Sequence, residues 1–497
     1  MRTEGNTVVV SNRLPLSSEP ENATPHYLRP SSGGLTRTLD SIMWESGGIW
    51  VGCSPTEDIV ELTEEGRDWR DRHGYSTAPV CLGTEERKDY EGFSNDAIWP
   101  LFHCLKSQCR LDPDCWSGYC RVNGRIAEAV QIVAQQEDCV WVHDYPLMMV
   151  ASLLRANGSH HRIGYSQHIP FPPPAVLKTL PWRVELLDAL LQFDLIGFQT
   201  EDDRGNFLAS LSAYLPPAHP LEVDGKSVVR VLDHVARIGT YPVGIDFDEF
   251  SFEGSNPNIV AASKAIRKYM SAAQIVLAVD RLDSSAGMFE RFRAFQRLLE
   301  LYPQMRGKVT MTQIVLPSNG TPSENRQVDL QIESAAGQIN RRFGSNDWTP
   351  IHYYCRRLTQ AQLIAFYQSA DIALMTPLRG GMNLVAKEFC ACRNDDRGVL
   401  LLSEFSGAAE ELNFGALLVD PYNVDHVASV LYLALRMSES EQRERMASLR
   451  NHIRTNDVFN WSNSFHSDIA PSSTPPRFRR MPQESLRERV QERSQEA

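Results

Sequence analysis

Four polar residues stand where short apolar, strand-like runs give out. Arg13 follows Thr7 to Val10, Asp144 follows Cys139 to Val142, His168 follows Arg162 to Ser166, and Arg281 follows Ile275 to Val279. A guanidinium can neutralise phosphate oxygens, a carboxylate can accept hydroxyl protons, and a neutral imidazole can donate or accept. One such residue at a strand end is ordinarily a turn or a helix cap, but four in equivalent places point to a ligand. Residues 371 to 391 add backbone chemistry. Ile372 to Met375 fits a buried strand, Pro377 and Gly380-Gly381 end it, and Asn383 opens a helix. The free amides and positive dipole end of such a helix suit a phosphate or a sugar hydroxyl, although the same glycines would serve a plain strand-to-helix turn.

The elements that must hold these groups read as alternating strands and amphipathic helices, which is the grammar of a parallel α/β sheet. Leu195 to Phe198 closes a first series. After Tyr241 to Asp246 the rhythm restarts through Ile275 to Val279, Val309 to Ile314, Ile351 to Tyr354, Ile372 to Met375 and Val399 to Leu402. A hinge near residue 245 is expected, with domains over 1–245 and 246–469. The 497 residues, 42% of them hydrophobic, can fill two cores. Between Gly287 and Tyr302 the spacing predicts a helix with Met288, Phe292, Phe295, Leu298 and Leu299 inside and Glu290, Arg291, Arg293 and Arg297 in solvent. The tail over 470–497, Pro- and Ser-rich and then Arg- and Glu-rich, offers too few apolar groups to offset its ordering entropy and is expected to be disordered.

A net charge of −12 argues against a nucleic-acid or anionic-membrane surface, so any phosphate must be met by local cations and amides. No stretch reads as a leader or a membrane span, and a cytoplasmic location is expected. The ten cysteines suit reduced thiols. Cys104, Cys109, Cys115 and Cys120 are spaced more loosely than a structural zinc site, and no metal is expected.

Read in order, several segments are similar to the trehalose-6-phosphate synthase family of retaining glycosyltransferases. They are Ser11-Asn12-Arg13, Ser32-Gly33-Gly34-Leu35, Phe93-Ser94-Asn95 with Trp99-Pro100, Gly118 to Asn123, Val142-His143-Asp144-Tyr145, His168 to Pro172, Ile196 to Thr200, Arg281-Leu282-Asp283 and Gly381 to Glu388. The resemblance covers residues 7 to about 465. It implies a GT-B fold of two Rossmann-like domains facing across a cleft, the first binding the acceptor and the second the nucleotide sugar, with the last helix packing back on the first. It implies that Gly33 and Gly34 approach the donor, that Met382, Asn383, Leu384 and Val385 offer it amides, that Glu388 binds its ribose and Arg281 its diphosphate. By the same resemblance His168 meets the hydroxymethyl group of the transferred sugar, while Arg13, Tyr90, Trp99, Asp144 and Gln199 line the acceptor pocket. Departure of a nucleoside diphosphate leaves charge on its oxygens that a fixed guanidinium stabilises. The family is thought to need no protein nucleophile, metal or cofactor beyond the nucleoside diphosphate sugar as co-substrate. Whether the chain forms a homo-oligomer is left open.

Three departures stand out. Ala286 replaces the family lysine that partners the arginine on the diphosphate, a loss worth on the order of a hundredfold in rate. Gly380 replaces an aspartate that accepts from a donor-sugar hydroxyl, worth about 1 to 3 kcal/mol. Asn319 falls where the family carries an arginine for the acceptor phosphate. Cys53 and Pro146 replace a tryptophan and a histidine. These changes favour a divergent member of the specialised-metabolite or pseudo-glycosyltransferase branch, moving a sugar from a nucleoside diphosphate to a sugar, sugar phosphate or sugar-like acceptor. The alternatives are an authentic trehalose-6-phosphate synthase using glucose 6-phosphate, or a catalytically inactive regulatory homologue.

Overall fold

A computed structural model describes residues 5–18, 28–30, 34–54, 69–70, 72–215, 220–223, 226–231, 234–317 and 322–470. Gly33, Asn319 and the tail after residue 470 lie outside the described residues. The chain divides into two compact units, 1–243 joined by the segment from residue 458 onward, and 244–457.

The first unit is built on one nine-stranded sheet. Its order is Ser76–Val80, Ile49–Cys53, Thr7–Arg13, Cys139–His143, Arg162–Ser166, Leu195–Phe198, His234–Thr240, Lys226–Val231, Pro220–Val223. The first seven strands run parallel. Counted along the chain, these seven lie third, second, first, fourth, fifth, sixth, seventh, the doubly wound order. An antiparallel pair, Lys226–Val231 with Pro220–Val223, extends one edge and makes this sheet mixed, a feature absent from the sequence expectation. At the other edge Ser76–Val80 accommodates Pro79, as only an edge strand readily does.

Val8, Val10, Val140 and Val142 are fully buried and join Tyr119, Val122 and other apolar side chains in one core. The sheet also carries the last helix, Val458–Ile469. A Cβ at Gly164 would lie 2.5 Å from Phe465, and one at Gly197 would lie 3.1 Å from it, so two bare positions admit the ring. Phe465 stacks on Trp141 at 4.8 Å, and Trp461 Nε1 donates to the carbonyl of Tyr241 at 3.1 Å. Burying a side chain of Phe465's kind contributes about 2 to 3 kcal/mol.

The second unit has six strands, all parallel, in the order Ile351–Cys355, Val309–Leu316, Gln274–Arg281, Ile372–Met375, Val399–Ser403, Leu417–Val419. Counted along the chain this is again third, second, first, fourth, fifth, sixth. Both units therefore belong to the α/β class expected from sequence, each built on a doubly wound sheet. In the helix Met288–Leu301 the five apolar residues are buried as the periodicity requires. Arg291 is not in solvent, however, and is 1% exposed. Its guanidinium pairs with Asp280, donates to Gln313 Oε1 at 2.8 Å and Thr376 Oγ1 at 3.0 Å, and reaches the carbonyl of Ala286 at 3.1 Å. Helical periodicity ranks arginine as polar, but acceptors on two strands and just beyond a third make its burial tolerable.

Candidate functional site

In an open α/β sheet a ligand sits outside the carboxyl ends of the strands, where the strand order reverses. In the first unit that reversal lies between Thr7–Arg13 and Cys139–His143. Arg13 and Asp144 therefore flank it, and His168 and Gln199 follow the next two strands along. The Arg13 side chain is 47% exposed and stands 3.9 Å from Glu91. Asp144 has φ 74° and ψ 167°, a backbone region almost reserved for glycine. Its N–H donates to the carbonyl of Ser166 at 2.8 Å, and its Oδ1 accepts from the N–H of His168 at 3.1 Å. His168 is held neutral, with burial pushing its pKa down to about 3.

The remaining residues expected at the acceptor are spent differently. Tyr90 is fully buried, burial pushes its phenol well up, and its hydroxyl donates to Asn12 Oδ1 at 2.9 Å. Asn12, next to Arg13, thus receives the group that sequence assigned to the ligand. Gln199 is buried too, with Nε2 donating to the carbonyl of Gln167 at 2.7 Å and Oε1 accepting from Val243 N–H at 2.9 Å. Its carboxamide braces backbone at the strand ends. Trp99 is half-buried and stacks on His103 at 4.1 Å. It follows a seven-residue π-helical stretch, Gly92–Ile98, whose looser winding sequence periodicity does not reveal. Gly34 opens the helix Gly34–Ser46.

In the second unit the reversal lies between Gln274–Arg281 and Ile372–Met375, which puts Arg281 beside the loop 376–383. Arg281 is exposed, and its guanidinium makes no hydrogen bond or salt bridge among the described residues. The loop after it is tied down by backbone. Leu378 N–H donates to the carbonyl of Ser285 at 2.7 Å, and Asp283 accepts from both the N–H and the hydroxyl of Ser285. Ala286 is 5% exposed and packs in the apolar core. At Gly380 an added Cβ would meet only Pro377, at 3.5 Å, so the missing carboxylate leaves room rather than a rearranged loop. Met382 is buried, while Leu384 and Val385 are half-buried at the start of the helix Leu384–Ala391. Asn383 caps that helix in the left-handed region, φ 52°, accepting from Ala386 N–H at 3.2 Å. Glu388 is buried and accepts from the Tyr367 hydroxyl at 2.7 Å. Among the described residues no group of three or more His, Cys, Asp or Glu side chains could hold a metal ion.

The family model for Glycosyltransferase family 20 matches residues 5–471. The chain belongs to this family. It is a glycosyltransferase of the trehalose-6-phosphate synthase type. A trehalose-6-phosphate synthase of Enterobacter is 37% identical over 480 residues, which cover 95% of this chain and 96% of that one. A bifunctional trehalose-6-phosphate synthase/phosphatase of Thermoproteus tenax is 37% identical over 471 residues, 92% of this chain but 62% of the longer relative. A solved structure of the Burkholderia xenovorans α,α-trehalose-phosphate synthase (UDP-forming) in complex with glucose-6-phosphate superposes with a TM-score of 0.83 at 34% identity, covering 94% of this chain and 100% of the other. An Escherichia coli structure bound with UDP-2-fluoro glucose gives 0.83 and 34% over 95% and 100%. These likenesses support the trehalose reading better than the specialised-metabolite one, which the departures at 286 and 380 had favoured.

Sequence reasoning passed over two buried residues that hold site groups, His143 and Tyr367, and placed a third, Arg291, in solvent. Only His143 carried a signal, by preceding Asp144 at a strand end. Tyr367 acts across 21 residues of chain, and Arg291 lies on a helix whose periodicity hides its acceptors. Among the described residues no helix is long and apolar enough to cross a membrane.

Proposed function

We propose that this chain transfers a glucosyl group from uridine diphosphate glucose to glucose 6-phosphate with retention at the anomeric carbon. The reading is carried by one coincidence: similarity runs through both units, and Arg13, Asp144, Arg281 and the loop that leads to Met382 and Asn383 stand at the two points where strand order reverses. Arg281 takes the charge of the departing diphosphate, helped by the amides around Met382 to Val385 and by the dipole of the helix they open. Glu388 holds the ribose, its carboxylate oriented by the Tyr367 hydroxyl. In the first unit Arg13 meets the acceptor phosphate, and Asp144 and His168 order sugar hydroxyls. The leaving phosphate takes the acceptor proton. Ala286 and Gly380 lower the rate without altering the reaction, because the backbone that carries the donor contacts is intact.

The test is incubation of the purified protein with uridine or guanosine diphosphate glucose and glucose 6-phosphate, with mass spectrometry of the products. A phosphorylated disaccharide and free nucleoside diphosphate are expected. Product from unphosphorylated acceptors alone would replace the acceptor assignment. If no donor reacts until Ala286→Lys and Gly380→Asp are both introduced, the chain is a decayed enzyme.

A further inference from the structure

The helix Leu384–Ala391 carries the carboxylate of Glu388 and part of the amide set assigned to the donor, yet it is only 8 residues long, about 12 Å. A helix of two turns does not hold its own shape in water, so whatever fixes its ends fixes its position. Asn383 caps its first turn. Its last turn is buried, with Cys390 and Ala391 at 0% exposure. A helix leaves its last carbonyls without donors of its own, and buried carbonyls need donors from elsewhere.

Arg450 supplies them. It stands on the helix Glu439–Thr455 with its side chain 15% exposed, and its Nη1 donates to the carbonyl of Cys390 at 3.0 Å and to that of Ala391 at 2.5 Å. Nη2 donates to Asn394 Oδ1 and Nε lies against Asp396 Oδ1, each at 3.0 Å, so every nitrogen of the guanidinium is engaged. Its Cζ lies 5.2 Å from the centre of the Phe247 ring. None of these partners is a residue assigned to a substrate. The sign of the charge suits the place, since the carbonyl end of a helix is the negative end of its dipole. The helix Glu439–Thr455 also reaches the middle of Leu384–Ala391. Lys387, at 0% exposure, pairs with Glu411, whose other carboxylate oxygen lies 3.1 Å from His452 Nε2.

Arg267 in the same unit makes a contrast. It donates to the carbonyls of Ser369 at 2.7 Å and Ala273 at 3.2 Å and pairs with Asp371 at 3.1 Å. Those residues precede the strands Gln274–Arg281 and Ile372–Met375, so Arg267 ties the amino ends of the sheet, opposite the ends where a ligand sits.

We infer that Arg450 is a positioning residue for the nucleotide sugar: by holding the last turn of Leu384–Ala391 it sets where the first-turn amides and the Glu388 carboxylate stand, and it touches no substrate. The donor part rests on the proposed function; the setting of the helix does not.

The test compares Arg450→Met, which keeps an apolar stem and removes the N–H donors, with Arg267→Met, which does the same at the far ends of the strands. In Arg450→Met the Kd for uridine diphosphate by calorimetry and the KM for uridine diphosphate glucose should both rise about tenfold, because a small misplacement of binding groups is costly. KM for glucose 6-phosphate and kcat should change little, since the weakened contacts are made before the transition state as well as in it. Arg267→Met should lower Tm and leave the donor constants alone. Unchanged donor affinity in Arg450→Met, or an equal rise in Arg267→Met, overturns the inference and makes Arg450 a stabilising residue only. If Arg450→Met does not fold, Arg450→Lys, which loses the planar fork but not the charge, is set against Arg267→Lys and decides in the same way. Amide hydrogen exchange over 384–391 should quicken in Arg450→Met and not in Arg267→Met. Should uridine diphosphate fail to bind the unmodified chain, the proposed function falls, and exchange alone still decides whether Arg450 sets the helix.

Discussion

The two units use the same strand order to opposite ends. In the first, the groups at the reversal are side chains held by other side chains: His168 by Asp144 and His143, Asn12 by Tyr90. In the second, they are mostly backbone, held by carbonyl contacts and by a single buried guanidinium. A site made of side chains does not survive replacement of its parts. A site made of amides keeps its shape when Lys gives way to Ala286 or Asp to Gly380. That difference accounts for finding the losses at 286 and 380 in the second unit, while the first, changed at Cys53 and Pro146, keeps Arg13, Asp144 and His168.

The largest effect that would sharpen this contrast comes from Arg291. Replacing it with Met leaves Asp280 buried without its partner and should destabilise the second unit by about 3 to 5 kcal/mol. Unit-resolved hydrogen exchange should show the loss in 244–457 and not in the first sheet. A loss spread over both units would mean that the guanidinium does more than hold its own loop. Next is Arg281→Ala, expected to lower kcat by about a hundred- to a thousandfold with little change in KM, since the charge it meets develops in the transition state. A drop below tenfold would show that another cation has taken over the diphosphate.

Smaller and opposite in sign is the gain from Gly380→Asp with Ala286→Lys. The open space at Gly380 admits a side chain, so the aspartate should lower KM for the glucose donor by roughly five- to a hundredfold, the value of one satisfied hydroxyl. The lysine must thread out from a buried position and should act on kcat. If neither changes a rate, the second unit has adapted beyond its backbone and the contrast fails.

Legibility in the sequence followed the same division. Strands such as Thr7–Arg13 and Val309–Leu316 announce themselves by short apolar runs, and Arg13, Asp144, His168 and Arg281 are found simply by looking for the polar residue at the end of each run. Asn383 was readable as a cap because Gly380-Gly381 precedes it. Ser76–Val80 was hidden by Pro79, and the strands from 220 to 231 by their position beyond the parallel series. Arg291 was misread because a helical wheel sees one helix, while the acceptors that permit its burial come from Asp280, Gln313 and Thr376 on other segments. The family resemblance assigns Gln199 and Tyr90 to the acceptor pocket, yet their polar atoms face protein, and only coordinates separate a ligand contact from the brace behind it.

Acid should separate the units. In the first, His466 is fully buried and burial takes its pKa down to about 4, partly resisted by the Ser462 carbonyl. An unfolded histidine titrates near about 6.5, so between those values the unfolded chain binds a proton that the folded one refuses. The stability this group contributes is whole above about 6.5 and falls as pH drops, by about 2 kcal/mol at pH 5. His143 and His168, also depressed by burial, act in the same direction. In the second unit Glu253 is raised to about 7 by burial and by Glu249, against a hydrogen bond from Asn256, and its Oε1 is buried with no hydrogen-bond partner among the described residues. Here the folded state holds the proton, so stability is present at low pH and declines from about 4.3 up to about 7. Glu411 is raised by burial but carried below the usual carboxylate range by Lys387 and His452, and it enters only in stronger acid. Hydrogen exchange at pH 7 and pH 5 should therefore show the first sheet loosening as the helix Phe247–Glu253 tightens. Glu253→Gln should abolish the second response and spare the first, and His466→Gln should weaken the first alone. A shift of both units in one direction would mean that their buried charges are not partitioned as the geometry of each sheet requires.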